Sequence, residues 1–251
     1  MWDGARPLLG GTDAAAIAAI RAAGGDVSVS FGGWSGRKLG QACKTAAALA
    51  GAYEQVIGAY SLRAIDVDIE HTEFANRKVR LRVVSALRLV QVADPGVEIS
   101  VTFGTTPNGP DRNGLSLLAD AVSVGFVPYA WTIMPFDFGT PEADMGATSV
   151  AAAQGLHADL MAASGMDSAT AYAHMGISSM NGQTDESDET VSPADYQTML
   201  TYARAVHLAR LTFWAVNRDR ACPSGTPPGD TCSGITQTTD LFTMATASYT
   251  G

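Results

Sequence analysis

The chain is poor in the features that mark several large functional classes. Only 16 lysines and arginines stand against 25 aspartates and glutamates, a net charge of −9 with no basic stripe. Such a surface repels phosphate backbones, which excludes nucleic acid as a partner and favours a neutral substrate. No apolar run approaches the roughly 20 residues that a membrane span requires. Met1-Trp2-Asp3 lacks the basic start and apolar core of a signal peptide, so the chain reads as soluble, with a truncated frame. The four histidines, His71, His157, His174 and His207, show no metal-ligand spacing and read as surface or packing residues. Only His71, which follows an acid, merits a functional test. Neither a metal nor a cofactor is expected.

Cysteine is scarce as well, with three in 251 residues. Cys222 and Cys232 flank the loop Cys-Pro-Ser-Gly-Thr-Pro-Pro-Gly-Asp-Thr-Cys, whose small ring suits a disulfide and therefore an oxidising compartment. Cys43 is left over. The composition shows no linker-like shift and is 46% apolar, enough for a sizeable core, so residues 1–251 read as one domain.

Against these absences stands Ala64-Ile65-Asp66-Val67-Asp68-Ile69-Glu70. A period of two places Asp66, Asp68 and Glu70 on one face of a strand and Ile65, Val67 and Ile69 on the other. Three adjacent carboxylates repel, which raises at least one pKa and sets a proton donor beside an ionised carboxylate. A hard-cation site would need oxygen ligands in a loop that wraps the ion, whereas this run is β-branched and stiff. Acid–base chemistry is the better reading.

Strand-like runs alternate with helical ones. Strands are predicted over Val27 to Phe31, Ile65 to Ile69, Val97 to Phe103, Tyr129 to Met134, Ala171 to Ile177 and Leu211 to Val216. Helices are predicted over Ala14 to Ala23, capped by Asp13 or Thr12, over Lys38 to Tyr60, and over Ala194 to Val206 behind Ser192-Pro193. Strand starts recur every roughly 30 to 45 residues, as expected of parallel strands joined by right-handed helical crossovers. The fold class is therefore α/β, a TIM-type (β/α) barrel that is incomplete, with about six parallel strands; a doubly wound open sheet is the alternative. Arg6-Pro7-Leu8-Leu9 offers weak support for a seventh strand. Working residues of such a barrel project from the C-terminal ends of its strands.

Four ordered segments resemble the family 18 glycoside hydrolases, the chitinase family, and in particular its compact bacterial members. Ser30-Phe31-Gly32-Gly33 is similar to the family's Ser-x-Gly-Gly strand, and Asp66-Val67-Asp68-Ile69-Glu70 to the end of its Asp-x-x-Asp-x-Asp-x-Glu strand. Met134-Pro135-Phe136-Asp137-Phe138 is similar to its Met-x-Tyr-Asp strand, and Phe213-Trp214-Ala215-Val216-Asn217-Arg218-Asp219 to the last strand. The resemblance implies retaining hydrolysis of β-1,4-linked N-acetylglucosamine polymers, with chitin, chitooligosaccharides or peptidoglycan as substrate, by the substrate-assisted route that departs from the two-carboxylate scheme.

On that resemblance Glu70 protonates the leaving oxygen, Asp68 orients the 2-acetamido group, and Asp66 shares a proton with Asp68. Asp137 binds the acetamido oxygen or sugar hydroxyls, and Trp214 forms a floor for a sugar ring. Gly33, Met134, Phe136 and Asn217 join the substrate-binding set, with Met180 and Gln183 from a segment similar to the family's seventh strand. Trp34 and Trp131 read mainly as structural, although Trp34 could extend the cleft.

The chain also departs from the pattern. Arg63 stands where the family has the first Asp of its signature, and a cation there is expected to favour ionised Asp66. Phe136 replaces a tyrosine. The resemblance implies that two strands are missing before Ser30, along with a cysteine partner for Cys43. A second copy of the chain could cover the exposed sheet edges, and the protein is expected to be extracellular. A carbohydrate-binding protein with weak or no turnover on the same fold is the alternative function.

Overall fold

A computed structural model describes residues 5–251, so the reading placed on Met1, Trp2 and Asp3 lies outside the described residues. Residues 5–101 and 116–129 make up one unit, and residues 102–115 and 130–251 a second.

In the first unit the order is α1 (Gly11–Ala22), β1 (Val29–Gly32), α2 (Leu39–Ala42), α3 (Ala46–Tyr60), β2 (Ala64–Asp68), α4 (His71–Ala75), α5 (Arg77–Ala93) and the start of β3 (Glu98–Gly104). α1 begins earlier than its side chains suggest. Gly10, at φ 74°, precedes it without a side-chain cap, and Asp13 pairs instead with Arg6 at 2.7 Å. The helix expected over Lys38 to Tyr60 is two helices, because Cys43 and Thr45 are extended and the Thr45 hydroxyl accepts the Ala48 N–H at 3.1 Å to start α3 afresh. Asn76 caps α5 in the same way, accepting from Lys78 and Val79, and α5 buries Val83, Val84, Leu87 and Val90. Arg6 forms an isolated bridge and the following residues only bends, so the expected seventh strand is absent: Pro7 has no N–H to offer a ladder.

β1 and β2 pair in parallel, with Ser30 opposite Asp66 and Gly32 opposite Asp68. Ile65, Val67 and Ile69 are fully buried. Each contributes about 1.5–3 kcal/mol, and together they fix the register that turns the carboxylates to the other face.

In the second unit the order continues, after α6 (Arg112–Ser123), with β4 (Ala130–Met134), α7 (Met145–Ser164), α8 (Ser168–Ala173), β5 (Met175–Met180), the short hairpin β6 (Gly182–Gln183) and β7 (Thr190–Val191), α9 (Pro193–Val206), β8 (Arg210–Trp214) and α10 (Leu241–Ala247). α9 opens on Ser192 as the sequence suggests. The Ser192 hydroxyl accepts from the Asp195 N–H at 3.2 Å while the Asp195 carboxylate accepts from the Ser192 N–H at 2.7 Å, a closed capping box. The strand boundaries move most at β5 and β8. Ala171 lies in α8, whose cap is Asp167, so β5 starts only at Met175. β8 ends at Trp214, and Val216 to Arg218 form a 3₁₀ turn. The hairpin of β6 and β7 went unpredicted because two-residue strands carry no periodicity.

β4 pairs with β5, and β5 with β8, both in parallel, the latter with Met180 opposite Trp214. Six parallel strands run in the order β1-β2-β3-β4-β5-β8, as expected of an incomplete (β/α) barrel, and β1 and β8 are the terminal strands. The Cys222–Cys232 disulfide is formed, as the loop composition suggested, and Cys43 is a free thiol.

Candidate active site

The carboxylate strand is held by its neighbour. Asp66, only 4% exposed, accepts a 2.6 Å hydrogen bond from the Ser30 hydroxyl across the β1–β2 pair. Gly33 donates its N–H to the Asp68 carbonyl at 2.9 Å. Gly32 sits at φ 104°, and a Cβ there would fall 2.1 Å from that same carbonyl oxygen, so no other residue fits. Asp68 hydrogen-bonds the Glu70 carboxyl. Burial first, then the charges of Glu70 and Asp66, push the Asp68 carboxyl up to about 8, opposed by the Lys38 ammonium. Like-charge coupling was the expected cause; the larger one is desolvation, which alternation alone does not reveal.

β2 ends at Asp68, one residue short of the expected Ile69, and Glu70 follows in extended conformation as the residue before α4, its carbonyl accepting from the N–H groups of Glu73 and Phe74. Two buried charges that the sequence reading left out stand close by. Lys38 donates to the carbonyls of Gly33 and, at 2.6 Å, Ser35, which ties down the loop after the Gly-Gly pair. Glu73 accepts the Gly40 N–H at 2.7 Å, and burial raises its carboxyl. The only hint of Glu73 was its helical spacing from Glu70.

Arg63 does not reach Asp66. It bonds Asp26 at 2.8 and 3.0 Å, and Arg21 with Arg63 holds the Asp26 carboxyl well below the usual range. Arg63, expected to act on Asp66, thus pairs with Asp26, because it precedes the buried part of β2 and its side chain is largely exposed. Trp34 is 69% exposed and contacts the His71 ring in a tilted arrangement with ring centroids 3.8 Å apart, so its structural reading is corrected too, while Trp131 is buried as expected.

In the second unit, β4 ends at Met134, followed by Phe136 and Asp137, both with accessible surface. Asp137 is left-handed at φ 53°, and the buried Glu189 fixes this turn by accepting the Asp137 N–H at 2.7 Å and the Phe138 N–H at 3.2 Å. Asp137 in turn accepts the Asp185 N–H at 3.0 Å. Partial loss of hydration pushes the Asp137 carboxyl up, against hydrogen bonds from Thr184, Asp185 and Glu186. Sequence reasoning missed Glu189, because the loop that carries it shows no periodicity.

Trp214 ends β8 with 44% of its surface exposed, and the Trp214–Ala215 peptide is cis. Asn217 is exposed three residues beyond the strand. Gln183 donates to the Ser187 carbonyl at 2.9 Å. Met180 is 1% exposed and lies within the packed interior, so it would support a binding surface from beneath rather than touch a ligand. Among the described residues, no group of three or more His, Cys, Asp or Glu side chains is arranged to hold a metal ion.

No family model matches the chain. It is 28% identical over 235 residues to the probable bifunctional chitinase/lysozyme of Escherichia coli (strain K12), covering 88% of this chain and 26% of that protein. It is 28% identical over 217 residues to endochitinase 11 of Metarhizium anisopliae, covering 81% of this chain and 42% of that protein. The chain thus spans less than half the length of either curated relative. The catalytic domain of the hyperthermophilic chitinase from Pyrococcus furiosus superposes with a TM-score of 0.86 at 24% identity, over 100% of this chain and 82% of that one. Catalytic-site mutants of active domain 2 of the thermostable P. furiosus chitinase, complexed with chito-oligosaccharides, give 0.85 at 23% identity over the same shares. A GH18 chitinase from Pseudoalteromonas aurantia gives 0.57 at 16% identity, over 84% and 78%. These structural likenesses, all below 25% identity, establish the fold, and the sequence matches show that the chain is similar to a curated chitinase/lysozyme and a curated endochitinase.

Proposed function

We propose that this protein hydrolyses β-1,4-linked N-acetylglucosamine polymers with retention, the substrate's own acetamido group acting as nucleophile. Glu70 is the general acid. One observation carries the reading: Asp68, raised to about 8 and hydrogen-bonded to Glu70, keeps a proton at neutral pH within reach of the carboxyl that must deliver one. Once that proton has passed through Glu70 to the leaving oxygen, Glu70 and Asp68 are both carboxylates: the ionised Asp68 faces the positive oxazolinium ion and orients its N–H, while the Ser30 hydroxyl holds Asp66 in place behind it. Asp137 and Trp214 serve as sugar contacts, with Gly33, Met134, Phe136, Gln183 and Asn217 in the same role and Met180 beneath. The curated relatives at 28% identity, a chitinase/lysozyme and an endochitinase, support the substrate class and justify a peptidoglycan arm in the assay.

The test is cleavage of chitin oligomers and of peptidoglycan by the wild type and by Glu70→Gln. The variant should bind oligomers and lose turnover. Retention of most turnover would refute the assignment, and binding without cleavage by the wild type would favour the carbohydrate-binding alternative. Secretion belongs to the same reading, since the disulfide calls for an oxidising compartment. So does a second copy covering the terminal strands, for which sedimentation equilibrium is the check.

A further inference from the structure

β8 runs directly from Trp214 into the 3₁₀ turn of Val216 to Arg218, and the turn folds Arg218 back beneath the strand end: its N–H donates to the Ala215 carbonyl at 2.9 Å. The Arg218 guanidinium then lies over the Trp214 ring, with Cζ 5.2 Å from the ring centroid. The side chain is 2% exposed, and its described hydrogen bonds are to backbone carbonyls. Nη1 donates to Gly229 at 2.7 Å, and Nη2 to Asn181 at 3.1 Å and to Gln183. Nε is buried without a hydrogen-bond partner among the described residues. Burying a cation whose direct hydrogen bonds all go to neutral carbonyls is costly, even with the charges of Asp185, Asp230 and Asp137 offsetting part of the loss. Here its charge rests on the π-face of the one tryptophan proposed to meet substrate.

The three carbonyls are not equally secure. Those of Asn181 and Gln183 belong to the β5–β6 corner, where the Asn181 side chain accepts the Ala215 N–H at 2.9 Å and the Asn181 N–H donates to the Trp214 carbonyl at 3.2 Å. Gly229 lies in the loop closed by the disulfide. It bridges Cys232 through a 3.2 Å backbone hydrogen bond, and Cys232 is bonded to Cys222. The loop also reaches the hairpin, since the Ser233 carbonyl accepts the Gln183 N–H at 2.8 Å. It lies so close to Gly182 that a Cβ there would fall 2.1 Å from that oxygen. Asp137, Asp185 and Asp230 act on the guanidinium through their charges.

We infer that Arg218 is a positioning residue for the Trp214 indole, and that the Cys222–Cys232 loop, through the Gly229 carbonyl, holds Arg218 in that position. This rests on the reading of Trp214 as a sugar contact. Fixing a tryptophan from behind removes rotamer freedom that binding would otherwise have to remove, so its effect falls on affinity more than on the chemical step. Arg is required because it offers a planar cation and several fixed donors at once; lysine offers a point charge.

The experiment compares wild type, R218K, R218M and C222S/C232S by the indole N–H resonances in a ¹H–¹⁵N spectrum without ligand, W214F identifying the peak among four tryptophans. Michaelis parameters on chitin oligomers complete the comparison. In R218M the Trp214 resonance should shift and broaden while the other indoles stay. R218K should lie between R218M and wild type. C222S/C232S should move the same resonance in the same direction, with no further movement when R218M is added. KM should rise about tenfold in R218M, with kcat changed less than about threefold, the loss expected of one cation–π contact.

A Trp214 resonance unmoved in R218M overturns the inference. Should R218M not fold, an unmoved resonance in both R218K and C222S/C232S overturns it as well. If even the wild type neither binds nor cuts the oligomers, the proposed function fails, whereas the ligand-free spectra still decide whether Arg218 positions the indole.

Discussion

Replacing Asp68 with asparagine should stabilise the protein, increasingly so as the pH rises. The folded state holds a proton on Asp68 up to about 8, whereas the ordinary carboxyl value is 3.8. Between those values the folded state binds more protons than the unfolded one, so stability falls as pH rises, and the loss is complete above about 8. Each pKa unit is worth ~1.4 kcal/mol. The full gap of roughly four units therefore sets a ceiling of about 6 kcal/mol. Rehydration of the strand end as it ionises returns part of this, and the expected difference at pH 9 is about 2 kcal/mol or more. Asn keeps the shape of a neutral Asp68 and can donate to Glu70, so Asp68→Asn removes the ionisation without opening a cavity. Guanidinium unfolding of both proteins at pH 3 to 9 measures it; in thermal scans about 2 kcal/mol appears as about 4–8 °C for a chain of this size. The curves should lie close together below pH 4 and diverge up to pH 8. Parallel curves across that range, or a wild type that gains on the variant at high pH, would refute a proton-holding Asp68. The same variant should lose turnover, so stability and activity move in opposite directions.

Three further outcomes are expected. On the proposed mechanism, early-time NMR of oligomer cleavage should show the β anomer as first product, because the acetamido group and then water would each invert the anomeric carbon; the α anomer, or rapid hydrolysis of substrates without that group, contradicts it. Gly32→Ala should destabilise by about 3 kcal/mol or more, since its backbone is left-handed at φ 104° and its Cβ would collide with the Asp68 carbonyl; a change below 1 kcal/mol in chemical denaturation would show that the Gly32–Asp68 contact is looser than described. Asp219→Ala should cost about 3 kcal/mol or more and loosen α10: the buried carboxylate accepts from the Gln237 amide at 2.7 Å, the Phe242 N–H at 3.1 Å, and the Thr243 N–H and hydroxyl, both at 2.7 Å, and hydrogen exchange across Leu241–Ala247 reports the loss.

The sequence by itself determined the strands whose residues repeat with a period of two, above all Ile65 and Val67 alternating with Asp66 and Asp68 along β2, because strand geometry leaves alternate residues no other face. It also determined the Ser192 cap and the Cys222–Cys232 ring, which depend on residues close together in the chain. Local rules went astray where a side chain found a partner far away or a competing one nearby. Asp13 turned to Arg6 rather than capping α1, Thr45 broke one long helix in two, and Arg63 went to Asp26. What only the tertiary structure decided is how the charges are tuned. Desolvation of Asp68, the buried Lys38 and Glu73 beside it, the Glu189 carboxylate under the Asp137 turn, and Arg218 on the Trp214 ring all depend on chain segments brought together by folding. Burial and through-space charge are properties of neighbours in space, and a linear pattern records only neighbours along the chain.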